Sequence, residues 1–290
     1  MVERSMISLY LFSSFLFVQV QPKPLPELKP FLAELRKTLH TDRHLLSQYT
    51  YTEKQTLMQL DSKGAPKTTE VNVFEVFPGS PERVGYRRRI VRDGVLLTPA
   101  ELKKEDQQVE KRVEAAEHRR SRITPPERER NRVDRLRREE QIIDDALGIF
   151  DVEMAGRETT GGRPAILLNF WPRAAYKPKT SEGKNMQHVA GRAWIDEEDY
   201  QVARVEVEVI DPISIGLGIL AKLQKGASIV ADRRKFNDEI WLPMRTEITL
   251  NARVLLVKGF NIRWINEYSE QKKYTVDTIL KFSDVEDPQP

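Results

Sequence analysis

The chain has 290 residues, of which 39% are hydrophobic and 31% charged, enough for one large domain or two small ones with a substantial core. This composition excludes a polytopic membrane protein. With 47 Lys and Arg against 44 Asp and Glu, the formal charge is only +3, too small an excess for a nucleic-acid-binding surface spread over the whole chain. Cysteine is absent, which removes thiol catalysis, disulfides, thiolate metal sites and a lipid-modified N-terminal Cys.

Ile7 to Val18 is an apolar run with the length of a signal-peptide core, short of the roughly 20 residues of a membrane span. Residues 1–20 are therefore expected to be a signal peptide or N-terminal anchor, which predicts a periplasmic or otherwise exported protein. Glu3 offsets Arg4, and Val18-Gln19-Val20 lacks a small residue before a cut. The competing reading is a buried strand or helix of the domain. Pro22, Pro24, Pro26 and Pro30 make residues 21–30 a stiff extended linker. Residues 31–290 are expected to form a single domain with a helical insert at about 98–148.

Leu28, Leu32, Leu35, Leu39 and Leu46 lie on one helical stripe, which predicts a helix from about Glu27 to Leu46. The period then falls to two. Tyr49 to Leu60 and Pro66 to Phe77 flank the turn Asp61-Ser62-Lys63-Gly64, and a third strand is expected from Arg83 to Val91 before Arg92-Asp93-Gly94.

Thr98-Pro99-Ala100-Glu101 and Thr124-Pro125-Pro126-Glu127 each combine a capping Thr, a Pro suited to the first helical position and a Glu that closes a capping box. They predict helices over Pro99 to Arg122 and Pro125 to Leu147, with Gly148 as the stop. Acids and bases balance across this insert, and Asp134 and Arg138 have i,i+4 spacing. Its arginines, Arg119, Arg120 and Arg122, then Arg128 to Arg138, suit either a solvent-facing helical pair laced with ion pairs or a docking arm for a membrane surface or partner.

Strands return from Phe150. Ile166, Leu168 and Phe170 alternate with Leu167, Asn169 and Trp171 after a Gly161-Gly162 turn. Arg192 to Asp196 and Tyr200 to Ile210 are joined by Glu197-Glu198-Asp199. In the second of these, Ala203, Val205, Val207 and Val209 take one face, and Arg204, Glu206 and Glu208 the other. Further strands are expected over Ser228 to Phe236, Glu239 to Leu242, Thr246 to Leu256, Phe260 to Tyr268 and Tyr274 to Phe282. Links of hairpin length imply an antiparallel sheet. The apolar stretch from Ile213 to Val230 reads as a buried core helix or as a lid over an apolar cavity.

Catalytic patterns are weak. Gly216-Leu217-Gly218-Ile219-Leu220-Ala221 matches a dinucleotide fingerprint, but it lies among antiparallel strands, so a turn into a short apolar helix is the favoured reading. His40 and His44 stand at i,i+4 without the adjacent Glu of a zinc hydrolase, and Glu197, Glu198 and Asp199 read as a hairpin turn. No catalytic residue, metal site or cofactor is expected.

Gly191-Arg192-Ala193-Trp194-Ile195-Asp196 followed by Tyr200-Gln201-Val202-Ala203-Arg204-Val205 resembles the strand pair of the LolA-like family of outer-membrane lipoprotein-sorting proteins. Asn237-Asp238-Glu239-Ile240-Trp241-Leu242-Pro243, leading into Thr246-Glu247-Ile248, resembles it as well. The resemblance implies an α+β fold: a strongly curved antiparallel sheet forming an open half-barrel, with helices on the concave side and the charged helical pair inserted. It also implies a non-enzymatic periplasmic carrier for an acyl chain of lipoproteins or lipids. The partners would be an acylated lipoprotein or lipid and transport proteins of the inner or outer membrane, not nucleic acid. Ligand-lining candidates are Ile166, Leu168, Phe170, Trp194, Val205, Val207, Leu217, Leu220, Trp241 and Trp264. The alternative is a protein-interaction or stress-sensing module of the envelope on the same fold.

Overall fold

In the computed structural model, which describes residues 23–40, 43–80, 84–215, 221–254 and 258–273, the first leucine stripe divides into two pieces. Helix α1 is Leu28–Thr38 and α2 is a single turn, Arg43–Leu46, so the expected continuous helix to Leu46 does not form. The end of α1 is taken over by the sheet. The Thr38 hydroxyl donates to the Tyr200 carbonyl at 2.6 Å, and the Gln201 amide donates to the Thr38 carbonyl at 3.2 Å. These bonds stand in for another helical turn.

Strands β1 (Tyr49–Leu60) and β2 (Pro66–Phe77) form the expected hairpin, followed by β3 (Tyr86–Arg92) and β4 (Val95–Leu96). Helices α3 (Pro99–Ser121) and α4 (Pro125–Ile149) come next. They lead into β5 (Phe150–Thr160), β6 (Arg163–Pro172), α5 (Ser181–Met186), β7 (Val189–Asp196) and β8 (Val202–Val209). Last are β9 (Ile213–Ile215), β10 (Ala221–Leu223), β11 (Ser228–Phe236), β12 (Ile240–Val254) and β13 (Lys258–Lys273).

All strands belong to one antiparallel sheet in the order β4-β3-β2-β1-β13-β12-β11-β8-β7-β6-β5, with β10 and β9 attached beside β12. The sheet is open, with β4 and β5 as its two ends. The α+β architecture expected from the sequence is the one found. Asp93-Gly94 and Asn237-Asp238 both have positive φ at two successive residues, the backbone that matches the twist of a two-residue hairpin.

Five expectations change. The described residues between Ile213 and Val230 hold no helix: β9 and β10 pair with each other, Gly226 turns the chain at φ +86°, and β11 follows. Glu239 to Leu242 and Thr246 to Leu256 merge into β12, with Pro243 opposite a register shift between Asp232 and Arg233, the kind of place where a strand tolerates proline. Helix α4 runs through Gly148 to Ile149, and this glycine serves close approach instead of termination, since a Cβ there would strike the Tyr176 ring. Arg138 pairs with Glu182 of α5 at 2.7 Å, not with Asp134. The third strand begins at Tyr86 rather than Arg83. The signal-like run, Tyr274 to Phe282 and Gly216 to Leu220 lie outside the described residues.

Helix α1 lies across one end of one sheet face. Phe31 and Leu35 pack on Ile166, Leu168 and Ile195, with Val152, Met154 and Val202 around them. Each such side chain contributes about 1.5–3 kcal/mol on burial. A bulge between Trp194 and Ile195 puts Val202, not Ala203, into this cluster.

Helices α3 and α4 link the sheet's two end strands. The root of α3 is tied to β3 by Arg88 and Asp106 at 2.5 Å. That of α4 is tied to α1 by Arg36, which bonds Glu140 and Asp144 at 2.8 and 2.7 Å. No helix among the described residues is long and apolar enough to cross a membrane.

Candidate functional site

Alternation along a strand separates two faces, and the register of neighbouring strands carries the separation across the sheet. In β8 the α1-facing side carries Val205 and Val207. Val207 is opposite Gly191 of β7 and Ile229 of β11; Gly191 is opposite Phe170 of β6; and Ile229 is opposite Ile248 of β12. Ile248 is opposite Trp264 of β13, which is opposite Leu57 of β1. One apolar row thus crosses seven strands. From Val207 to Leu57 it covers four strand spacings, about 19 Å. Gly191 keeps the row level: the Phe170 ring lies over it, with Cζ 2.7 Å from where a Cβ would stand.

The α1 helix shelters only the β5–β8 end of this face. Beyond it Ile229 is 43% exposed, Trp264 37% and Phe260 36%, while Val205, Val207, Ile248 and Leu57 are half-buried. A row of large apolar side chains left in water at this length is the signature of a surface built to be covered.

The face turns polar toward β1 and β2. The adjacent row passes from Val205 and Ala231 to Thr246, Asn266, Gln55 and Asn72. The Oδ1 atoms of Asn72 and Asn266 are buried without a hydrogen-bond partner. Glu53 is buried beyond them and accepts from Gln55 at 2.8 Å. Burial, then the Glu53 charge, pushes the Tyr51 hydroxyl up to about 12. A second hollow, about 420 Å³, opens where α1 and α2 meet the starts of β8 and β12, lined by Leu39, Leu45, Leu46, Ile240, His40 and Arg233. The Arg233 guanidinium donates there to neutral acceptors, Gln201 Oε1 and the Val202 and Trp241 carbonyls, and burial lowers its pKa.

The opposite face is an ion-pair lattice. Arg192 and Arg204 flank Glu206, and Arg204 reaches Asp232 at 2.5 Å. Arg245 and Arg263 share Glu247, and Lys54 meets Glu267. Burial acts to raise the Glu206 carboxyl, but hydrogen bonds from Arg204 and Arg192 hold it below the usual carboxylate range.

Against the candidates named from sequence, the structure brings Phe170, Val205, Val207 and Trp264 together on the apolar face. Ile166 and Leu168 share that face but are sealed under α1. Trp194 lies on the charged face, donating to Glu158 at 2.7 Å between Arg192 and Arg204, whereas Trp241 lines the second hollow and donates to Asp199 at 2.9 Å. Leu217 and Leu220 lie outside the described residues. Ile229, Ile248, Leu57 and Phe260 complete the row and escaped sequence reasoning, although the alternation around Ile229 and Ile248 carries the signal. His40 stands 3.2 Å from Glu140, and among the described residues no three His, Asp or Glu are grouped to hold a metal.

No family model matches the chain, and no curated protein does. Among solved structures it is similar to a domain described as an outer-membrane lipoprotein-sorting protein from Vibrio parahaemolyticus, at 10% identity and a TM-score of 0.34 over 84% of this chain and 92% of that one. It is also similar to a LolA superfamily protein from Nitrosomonas europaea, at 9% identity and a TM-score of 0.28 over 85% and 93%. The MucA/MucB complex of Pseudomonas aeruginosa is a third, at 10% identity and a TM-score of 0.21 over 85% and 98%. With TM-scores this low, the likenesses add no weight to the geometry.

Proposed function

We propose that this protein is a non-enzymatic periplasmic carrier or binding protein for an acyl chain, borne by a lipoprotein or a lipid, with the open apolar face as its seat. The observation that carries this reading is the row from Phe170 to Leu57, four strands of which, β11, β12, β13 and β1, lie outside the cover of α1. Each CH₂ laid against such a surface contributes about 0.8 kcal/mol, so a chain of roughly sixteen carbons is held by about 12 kcal/mol. The sequence holds no phosphate-binding loop to drive release. Loading and unloading therefore fall to a partner, such as a transport protein of the inner or outer membrane, or to a downhill gradient.

Trp264 supplies the test, because it is the one tryptophan of the four on this face. A fatty acid brominated along its chain should quench the protein's fluorescence, and Trp264→Phe should remove most of that quenching. Val207→Lys with Ile229→Lys should weaken binding at least about tenfold, since the cations would be desolvated by an apolar occupant. Absence of quenching in the parent protein, together with native mass spectra free of lipid, would discard the carrier. The exposed α3–α4 pair would then favour the protein-interaction module.

A further inference from the structure

The insert is neutral only as a whole. Residues 119–138 hold nine arginines and three carboxylates, an excess of six positive charges, and the rest of 98–149 carries six more acids than bases. The excess sits where the structure places the tip of the helical hairpin. Every residue from Thr124 to Arg138 is exposed, whereas Ile143, Asp145 and Ile149 at the root are buried. From Pro125 to Glu139 the helix rises about 20 Å. Of the nine arginines, Arg132 is paired with Glu129 and Arg138 with Glu182; Arg119, Arg120, Arg122, Arg128, Arg130, Arg135 and Arg137 have no ion pair among the described residues.

The tip also has an outward side. Val133 and Leu136, 41% and 43% exposed, are neighbours on α4. At 100° per residue, Arg132 and Arg135 flank them on one side and Arg130 and Arg137 on the other. Glu127 and Asp134 fall away from this strip and line the crevice between the helices with Arg122, Arg130 and Asn131, whereas Glu129 lies on the strip one turn before Val133, neutralised by Arg132 at 2.6 Å. Cations around two projecting apolar side chains, all but Arg132 without an ion pair among the described residues, on a stalk tied down at its root, form an interfacial helix end.

We propose that the α3–α4 tip docks onto an anionic phospholipid surface, with Val133 and Leu136 entering the headgroup layer and the flanking arginines each taking a lipid phosphate. A lipid array suits the tip better than a folded partner because the cations surround it without forming a groove. Fluid headgroups can match them without fixed spacing.

The test is flotation of the full chain with vesicles of phosphatidylcholine alone or with about one third phosphatidylglycerol. The parent protein should prefer the anionic vesicles and lose that preference in high salt. Arg119→Gln, Arg120→Gln, Arg135→Gln and Arg137→Gln together should weaken binding to anionic vesicles by about a hundredfold or more. Val133→Ser with Leu136→Ser should weaken it about tenfold. All six positions are exposed or half-buried, so folding should be kept, which circular dichroism checks. Val207→Lys with Ile229→Lys should leave vesicle binding unchanged, which separates this surface from the acyl seat. Equal binding of the arginine variant and the parent would overturn the proposal. So would absence of vesicle binding while polyglutamate protects the arm from protease, which would make an acidic protein the occupant.

Discussion

Asp145 shows how one side chain anchors the arm without entering the functional face. It is fully buried at the root of α4 and accepts from the Thr180 hydroxyl at 2.6 Å, the Thr180 N–H at 2.8 Å and the Tyr176 hydroxyl at 3.0 Å. Burial pushes the carboxyl up, but these donors, with the Lys179 N–H, hold it below its ordinary value. Asp145→Ala would strand several buried donors at once and should cost about 3 kcal/mol in urea unfolding. The depressed value also sets a pH dependence. The stability that Asp145 confers is complete above its unfolded value of about 4 and is lost as pH falls through the folded one. Between about pH 4 and 2, the parent should therefore lose more stability than the variant. Equal slopes would remove Asp145 from the account.

At the level of elements, α1 is, among the described residues, the only helix packed on the hydrophobic cluster of Ile166, Leu168 and Ile195. Phe31 is its main anchor, 3% exposed and 5.3 Å from the Tyr200 ring. Phe31→Ala should cost about 3–5 kcal/mol in denaturant unfolding. A cost under 1 kcal/mol would mean that α1 is not the cover described above.

Much at this scale was legible in the sequence, because local chemistry suffices for it. Asp61-Ser62-Lys63-Gly64 is a turn whose Asp61 carboxylate accepts from the Lys63 and Ala65 N–H groups. In the Thr98 box, the Glu101 carboxylate accepts from the Thr98 N–H at 2.9 Å, and the Glu127 carboxylate does the same for Thr124 at 2.8 Å. What failed depended on distant contacts. The apolar residues from Ile213 onward carry no period that separates a short buried strand from a helix, and pairing with β12 decides it. Trp194 looked like a pocket residue by type. Alternation gives two faces without saying which one α1 will cover, and its indole found the Glu158 carboxylate on the charged side.

For the whole molecule, the sheet keeps two unlike faces, ion pairs on one and an apolar row on the other, and on the proposed reading stability and acyl binding draw on the apolar side at different places. The ion pairs are partly exposed, and each contributes little, within about 1 kcal/mol. Folding is carried instead by the sheltered end, where Ile166 and Ile195 are at most 1% exposed. The uncovered end already meets water, so placing charge there costs the folded state little. Two pairs of variants should therefore separate. Ile166→Ala should cost about 2–4 kcal/mol of unfolding free energy and leave bromo-acyl quenching of Trp264 nearly unchanged once folded protein is compared. Val207→Lys with Ile229→Lys should change unfolding by less than about 1 kcal/mol, because long cationic side chains at half-open positions can extend to solvent. The same double variant should lose the quenching. If both sets lost stability alike, the open row would be core, and its length across the strands would serve only the fold. If neither altered quenching, the acyl chain would have to lie elsewhere, with the hollow beside Arg233 as the next place to probe.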